Sequence, residues 1–405
     1  MILAGHVGGL IAASLLFLWA GSAFGFTWMA YTWVCWVGAR TRRNRALVVS
    51  WPSIVILRPC EGHDEGLEEN LLSSVTARYD GDRAVIVLVP SQSDPAWAAA
   101  ERVRARVPVG VSYEVRLTAI ETIGNRKVAQ LAVGEVGLTA PIVVVADSDI
   151  RFDDETLPAL MRELAGDPLA GAATAPPVEI APETFGDWAS ASVLSSSPHA
   201  FLCLAGLAEQ AKGAQHLCGA LVAYRRDRLD AVGGFAALES YLGEDFEVAR
   251  RFHERGWTVS TAAVAAPNYD SRRTLSSVVK RFARWSVVTR QQRPHLFPSY
   301  FFFLAAGPLI TMLALAVCWM QPPFWYVSVA MAGVFVAARL LLAWELRRQL
   351  GLSNTPWALV GAVAIGEVVI LLGALGALGA PEVEWRGHRY RVSAGGVMSR
   401  IVVPG

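Results

Sequence analysis

Two aspartates separated by a single serine end an apolar run in Val143-Val-Val-Ala-Asp147-Ser-Asp149-Ile-Arg-Phe152. Carboxylates at i and i+2 in a turn converge on one point and repel each other unless a cation or hydrogen-bond donors lie between them. The chemistry on offer is therefore cation binding, with a solvated loop as the plain alternative. The acidic cluster that follows, Asp153, Asp154 and Glu155, reads as the N-terminal cap of the next helix; a metal site built there instead is the competing placement. Lys127 is the second reactive residue. Only three of the 36 basic residues are lysines (Lys127, Lys212 and Lys280), and Lys127 lies in Gly124-Asn-Arg-Lys127, where a helix begins. There an ammonium and unpaired N–H groups could meet a phosphate, or the lysine could simply be solvated.

Two further clusters follow. Glu244 and Asp245 stand in Tyr241-Leu-Gly-Glu-Asp245 before a helical pattern over 246–253, a position the helix dipole favours for acids by itself. Arg281, Arg284 and Trp285, at i, i+3 and i+4, share one helix face just before an apolar stretch. Taken singly, that face is an ordinary interfacial anchor.

The elements that must position these residues are short apolar strands alternating with helical patterns: strands over 53–57, 84–89, around Val115 and over 141–146, and helices over 67–75, 95–107 and 125–136. Continuous apolar strands separated by helices imply an α/β fold with a parallel sheet covered on both faces. Ligands of such sheets sit beyond the carboxyl ends of the strands, where Asp147 and Asp149 lie.

Composition adds a membrane. Hydrophobic residues make up 53% of the 405 and charged residues 18%, and mean hydropathy is +0.37. The net charge of +1 provides no basic field for nucleic acid. The five cysteines show no metal or disulfide spacing, which fits a reducing compartment. Residues 7–38 carry no Asp, Glu, Lys or Arg, and Arg40, Arg42, Arg43 and Arg45 follow, so residues 1–39 read as a retained anchor whose C-terminal end is cytoplasmic. Residues 51–294 have globular composition and form the expected cytoplasmic domain. Residues 296–380 form the C-terminal membrane region, with two spans joined at Gln321-Pro322-Pro323 and a third apolar stretch, 356–380, carrying Glu367. A span would put the basic tail 381–405, with Arg386, Arg389, Arg391 and Arg400, on the outer side, and a glutamate inside the membrane needs a partner or water, so the stretch is expected to be re-entrant or interfacial. Nothing in the sequence sets an oligomeric state.

In order along the chain, Asp94, Asp147-Ser-Asp149, Gly243-Glu-Asp245 and Arg281-Phe-Ala-Arg284-Trp285 resemble the D, DxD, D, (Q/R)xxRW pattern of membrane-bound processive and lipid-directed family 2 glycosyltransferases. Within that group the chain is most similar to the ceramide glucosyltransferase-like family 21. Leu57-Arg-Pro-Cys-Glu-Gly-His-Asp64, Gly124-Asn-Arg-Lys127, Cys218-Gly219, Gly233-Gly-Phe235 and the tail Glu384-Trp-Arg-Gly-His-Arg-Tyr-Arg391 extend the likeness over nearly all of the chain. The resemblance implies a GT-A-type, Rossmann-like domain between membrane helices. It implies transfer of a hexose from a UDP-sugar, most naturally UDP-glucose, to a lipid hydroxyl such as ceramide, with inversion. It places Asp94 on the uridine, Lys127 on the nucleotide, and Asp147 and Asp149 on Mg2+ or Mn2+ at the diphosphate. Asp245 becomes the base, with Glu244 beside the substrate. Arg281 and Arg284 fall near the leaving group, and Trp285 by the sugar or acceptor. His199 and His216 stand as acceptor-side candidates beside a reading as surface histidines. Hopanoid-type lipid acceptors, a processive polysaccharide synthase, and a lipid- or nucleotide-binding protein on a degenerate transferase fold are the rivals.

Overall fold

Strand residues of the apolar runs send alternate side chains to opposite faces, and in the computed structural model both faces are buried. The structure describes residues 2–120, 122, 124–210, 216–269, 272–320, 325–385 and 387–401. The expected turn at Gln321-Pro322-Pro323, and the residues Lys212 and Arg386, lie outside the described residues. In chain order the elements are α1 (Ile2–Asn44), β1 (Ile54–Pro59), α2 (Leu67–Thr76), β2 (Arg83–Val89), α3 (Pro95–Arg104), β3 (Ser112–Leu117), α4 (Arg126–Gly134), β4 (Ile142–Ala146), α5 (Thr156–Gly166), β5 (Ala170–Thr174), β6 (Pro177–Glu179), α6 (Phe185–Ser196), α7 (Phe201–Gln210), β7 (Leu221–Arg225), α8 (Arg226–Ala231), α9 (Glu244–Glu254), β8 (Thr258–Thr261), β9 (Ala266–Asn268), α10 (Leu275–Gln292), α11 (Ala306–Met320), α12 (Trp325–Gln349), α13 (Pro356–Gly376), β10 (Glu382–Trp385), β11 (His388–Val392) and β12 (Met398–Arg400).

The chain divides into two compact units. One comprises Trp36–Glu183, Ala205–Arg272 and Pro381–Gly405; the other comprises Met1–Cys35, Thr184–Leu204 and Arg273–Ala380. The first holds a seven-stranded sheet in the order β3-β2-β1-β4-β7-β5-β8. β1 pairs in parallel with β2 and β4, and β2 with β3, as the apolar runs imply. β7 runs antiparallel to both β4 and β5, so the sheet is mostly parallel with one reversed strand. Ile54, Ile56, Val85, Val87, Ile142 and Val144 bury one face against α2, α3 and α5 residues such as Leu71, Val103 and Leu160. Val55, Leu57, Ile86, Leu88, Val143 and Val145 bury the other against Leu131, Leu229 and Phe252. Each such side chain contributes roughly 1.5–3 kcal/mol on burial, and the alternation fixes the register that delivers Asp147 to the end of β4.

The tail also belongs to this unit. β10, β11 and β12 form an antiparallel sheet. Leu242 N donates to Gly396 O at 3.1 Å and Met398 N to Ser240 O at 2.8 Å, so the tail grips the segment that leads into Glu244 and Asp245.

The second unit gathers the apolar helices. Among the described residues four stretches are long and apolar enough to cross a membrane: Ile11–Asn44, Phe185–Glu209, Trp325–Gln349 and Pro356–Gly376. The second of these was not anticipated as apolar, and it is mostly buried inside the protein. α11, the first expected C-terminal span, has 15 residues and follows a π-helical turn over Tyr300–Leu304. α13 is one uninterrupted helix of 21 residues. A Cβ on Gly373 would lie 3.0 Å from Phe282, so glycine there lets α13 press against α10. Glu367 has an ionic partner in Arg339 of α12, with Nε 3.0 Å from Oε1 and both side chains 2% exposed. Glu367 Oε2 also accepts from Gly307 N at 2.6 Å.

Candidate active site

β4 ends at Ala146, and Asp147 N donates back to Ala220 O on the neighbouring chain segment at 2.9 Å. The turn over 147–150 closes with Ile150 N donating to Asp147 O at 3.0 Å. Three residues that were not singled out on chemical grounds hold this turn. Arg58, at the end of β1 and wholly buried, donates from Nη2 to Ile150 O at 2.8 Å and to Ser148 O at 3.3 Å. Asn70 of α2 donates to Ser148 O at 3.1 Å. Asn268, closing β9, donates from Nδ2 to Asp149 Oδ2 at 2.8 Å, which orients that carboxylate. Arg58 left one trace in the sequence: it is the single charge in an otherwise apolar strand, Ile54-Val-Ile-Leu-Arg-Pro59. A guanidinium with no exposure must aim at fixed acceptors, and here they are the turn's own carbonyls.

Four predicted residues converge. α4 begins after Asn125, whose side chain accepts from Val128 N at 3.2 Å, and a Cβ on Gly124 would come within 2.6 Å of Glu239 O, so only glycine lets this loop pack there. Lys127 in the first turn reaches Asp147 Oδ1 at 2.7 Å and Glu244 Oε1 at 3.2 Å, and donates to Gly219 O at 3.0 Å. Burial alone would pull its pKa down, but the Asp147 and Glu244 charges outweigh this and hold the ammonium above the usual lysine value. Glu244 opens α9 and accepts at Oε2 from Asn125 Nδ2 at 3.2 Å. Asp245, next in the same turn, accepts from Phe246 N at 2.8 Å and from Gly219 N at 3.2 Å. Its pKa is pushed up to about 7, first by desolvation and then by the Glu244 charge, against the two backbone donors and Lys127.

Asp94 plays a local part as well: it is the N-cap of α3, accepting from Ala96 N at 2.9 Å and from Gly62 N at 2.9 and 3.1 Å. Beside its neighbour Pro95 lies a cavity of about 230 Å3 lined by Gly62, His63, Asp64, Leu67 and Arg102. The competing acidic cluster is occupied. Asp153 caps the start of α5 by accepting from Thr156 N at 2.8 Å and Glu155 N at 3.0 Å, and Asp154 accepts from Arg78 N at 3.0 Å. Among the described residues no three His, Cys, Asp or Glu side chains form a metal cage. A hydrated divalent ion shared with a diphosphate needs only one or two carboxylates, and the hard oxygens of Asp147 and Asp149 fit that requirement.

Of the remaining candidates, all but His216 lie in the other unit. Arg281, Arg284 and Trp285 sit on α10, as their spacing implies. Arg281 donates to Ser190 Oγ and lies 5.5 Å from the centre of the Trp285 ring. Trp285 is nearly parallel to His199, 8° apart with centroids at 6.3 Å. His199 is buried, 4% exposed, and its Nε2 is 3.1 Å from the Tyr300 hydroxyl, so its reading as a surface histidine does not hold. His216, in the sheet-bearing unit, is half-buried with its ring edge-on to Phe246 at 5.8 Å.

The chain is similar to several known proteins. Ceramide glucosyltransferase 3 of Caenorhabditis elegans is 24% identical over 251 residues, 61% of this chain and 52% of that protein. Ceramide glucosyltransferase 1 of the same organism is 23% identical over 247 residues, 60% of this chain and 51% of that protein. The chain thus spans about half the length of the curated relatives it matches. A solved mannosyltransferase from Pyrobaculum calidifontis, in complex with GDP-Man and Mn2+, aligns with 89% of this chain and 99% of its own at 17% identity and a TM-score of 0.45. The family model for glycosyl transferase family 21 matches residues 17–398, from the first apolar helix to the last strand, and the chain belongs to that family.

Proposed function

We propose that the protein is an inverting glycosyltransferase that moves a hexose from a UDP-sugar, UDP-glucose first among them, to a lipid hydroxyl such as that of ceramide at the cytoplasmic membrane face. The observation that carries this reading is the convergence of Lys127, Asp147, Glu244 and Asp245 at one end of the sheet, with the Asp245 carboxyl held near neutrality. Family membership and the ceramide glucosyltransferase relatives support it.

In this mechanism Asp245 takes the proton of the acceptor hydroxyl, a task suited to a carboxylate whose pKa lies near the working pH. The hydroxyl oxygen attacks the anomeric carbon from the face opposite UDP, so an α-linked donor gives a β-glycoside. Negative charge grows on the departing diphosphate. Lys127 lies where it can meet that charge, and Arg281 and Arg284 are assigned the same role. Mg2+ or Mn2+, held by Asp147 and Asp149, would supply Lewis-acid stabilisation of the diphosphate oxygens. Arg58 and Asn268 keep the two aspartates in position. The cavity by Pro95 is assigned to the nucleoside, with Asp94 fixing its wall through Gly62 and the start of α3.

A lipid acceptor agrees with the apolar helices. α12 ends in Arg347 and Arg348, and the positive-inside bias supports a cytoplasmic end there. We keep α13 on one side of the membrane, as an interfacial helix, on the ground that the basic tail with Arg389, Arg391 and Arg400 follows it. The test is to incubate the purified protein with a panel of UDP-sugars and total membrane lipid and to identify products by mass spectrometry. A lipid carrying one β-linked hexose is expected. A polysaccharide product, or none with any UDP-sugar, counts against the reading.

A further inference from the structure

The site already contains a cation of the chain's own. The Lys127 ammonium touches Asp147 Oδ1 at 2.7 Å, Glu244 Oε1 at 3.2 Å and Gly219 O at 3.0 Å. Two carboxylates and a carbonyl therefore surround one positive charge, and these are the ligand types that a hard divalent ion selects. An ammonium in contact with Asp147 works against a second cation at that carboxylate, because it repels the ion and occupies an oxygen the ion would use. The backbone of Lys127 is fixed in the first turn of α4 behind the Asn125 cap, whereas its four-carbon stem is flexible and its head is a compact donor. A nucleotide diphosphate beside Asp147 would offer that head stronger acceptors within a side-chain rotation.

We propose that Lys127 is an exchangeable internal counter-ion. Without a nucleotide it neutralises Asp147 and keeps a divalent ion weakly bound. When a nucleoside diphosphate arrives, the ammonium passes to phosphate oxygens and Asp147 becomes available to the ion. Metal and nucleotide then bind with positive coupling, each tightening the other by the same factor. This inference rests on the reading of Asp147 as a metal ligand in a UDP-sugar transferase.

The test is Mn2+ affinity of the full-length protein in detergent, read from the loss of the free-ion paramagnetic resonance signal, with and without saturating UDP. Wild type should bind Mn2+ weakly alone and more tightly with UDP. A neighbouring opposite charge changes a carboxylate's proton affinity by about 10- to 1000-fold, so Lys127→Met should raise UDP-free Mn2+ affinity by about tenfold or more and shrink the UDP effect. Lys127→Arg, which retains the charge, should stay close to wild type without UDP. If thermal unfolding shows that Lys127→Met does not fold, Lys127→Gln, whose amide can still donate to Gly219 O, replaces it. A neutral variant with unchanged or weaker UDP-free Mn2+ affinity overturns the exchange while leaving the transferase reading intact. Wild type whose Mn2+ binding ignores UDP overturns both.

Discussion

Arg58 Nη2 donates to Ile150 O at 2.8 Å, so a fully buried guanidinium on β1 holds the turn in which Asp147 and Asp149 stand. Losing it leaves the Ile150 carbonyl without its donor, a penalty of about 1–3 kcal/mol, and lets the aspartates drift. Arg58→Met should lower kcat/KM by about 100-fold, the scale of an ångström-sized misplacement in a site, and should weaken Mn2+ binding with it. Arg58→Lys, with the charge but not the fork, should fall between the two. Wild-type kinetics and metal affinity in Arg58→Met would contradict the clamp.

The metal assignment separates two acidic clusters. Asp149→Asn should abolish tight Mn2+ and UDP binding, whereas Asp153→Asn should leave both unchanged and lower stability by about 0.5–2 kcal/mol through loss of a helix cap. Calorimetric titration with a thermal melt checks both at once. The reverse pattern would move the site to the second cluster.

Asp245 makes activity and stability respond to pH in opposite directions. Its carboxyl, at about 7, is active as a base only when ionised, so kcat/KM should rise with pH through that value. An ordinary aspartate ionises near pH 4, so between about pH 4 and 7 the folded chain keeps a proton that the unfolded chain has released. The stability this contributes is complete below that window and is lost as pH rises through 7. Asp245→Asn never ionises and should melt higher than wild type at pH 8, with the gap closing toward pH 5. Equal melting temperatures at both pH values would show that the carboxyl is not perturbed.

Arg339 and Glu367 form a buried pair between α12 and α13. Removing one partner strands a charge, which costs about 3–5 kcal/mol, while replacing both with apolar residues is often neutral or stabilising. Glu367→Ala should therefore unfold at markedly lower temperature in detergent, and the double variant Arg339→Met with Glu367→Met should recover most of the loss. A single variant as stable as wild type would show the pair to be dispensable.

The sheet was legible because strand runs such as Ala84-Val-Ile-Val-Leu-Val89 are apolar on both faces, which only a doubly covered sheet satisfies. β7 escaped notice as a reversed strand because direction is set by tertiary pairing with β4 and β5, to which a five-residue run is indifferent. At the site, Asp147, Lys127, Glu244 and Asp245 were found because charged side chains at element ends stand out against apolar neighbours. Arg58, Asn70 and Asn268 were missed as turn-holding residues because they act on backbone carbonyls or on a neighbouring carboxylate, contacts that join β1, α2 and β9 only after folding. The Phe185–Glu209 stretch looked globular because its serines, among them Ser190, Ser192 and Ser195, dilute its hydropathy; in the structure those side chains are buried.

The central claim is that Asp245 removes the acceptor proton while other residues hold the donor. The direct measurement is Asp245→Asn assayed twice, for UDP-sugar affinity by calorimetry and for single-turnover transfer to lipid by mass spectrometry. Donor affinity within about threefold of wild type is expected, together with loss of transfer by about 100- to 10,000-fold, the range of a general base. Turnover at the wild-type rate would contradict the account.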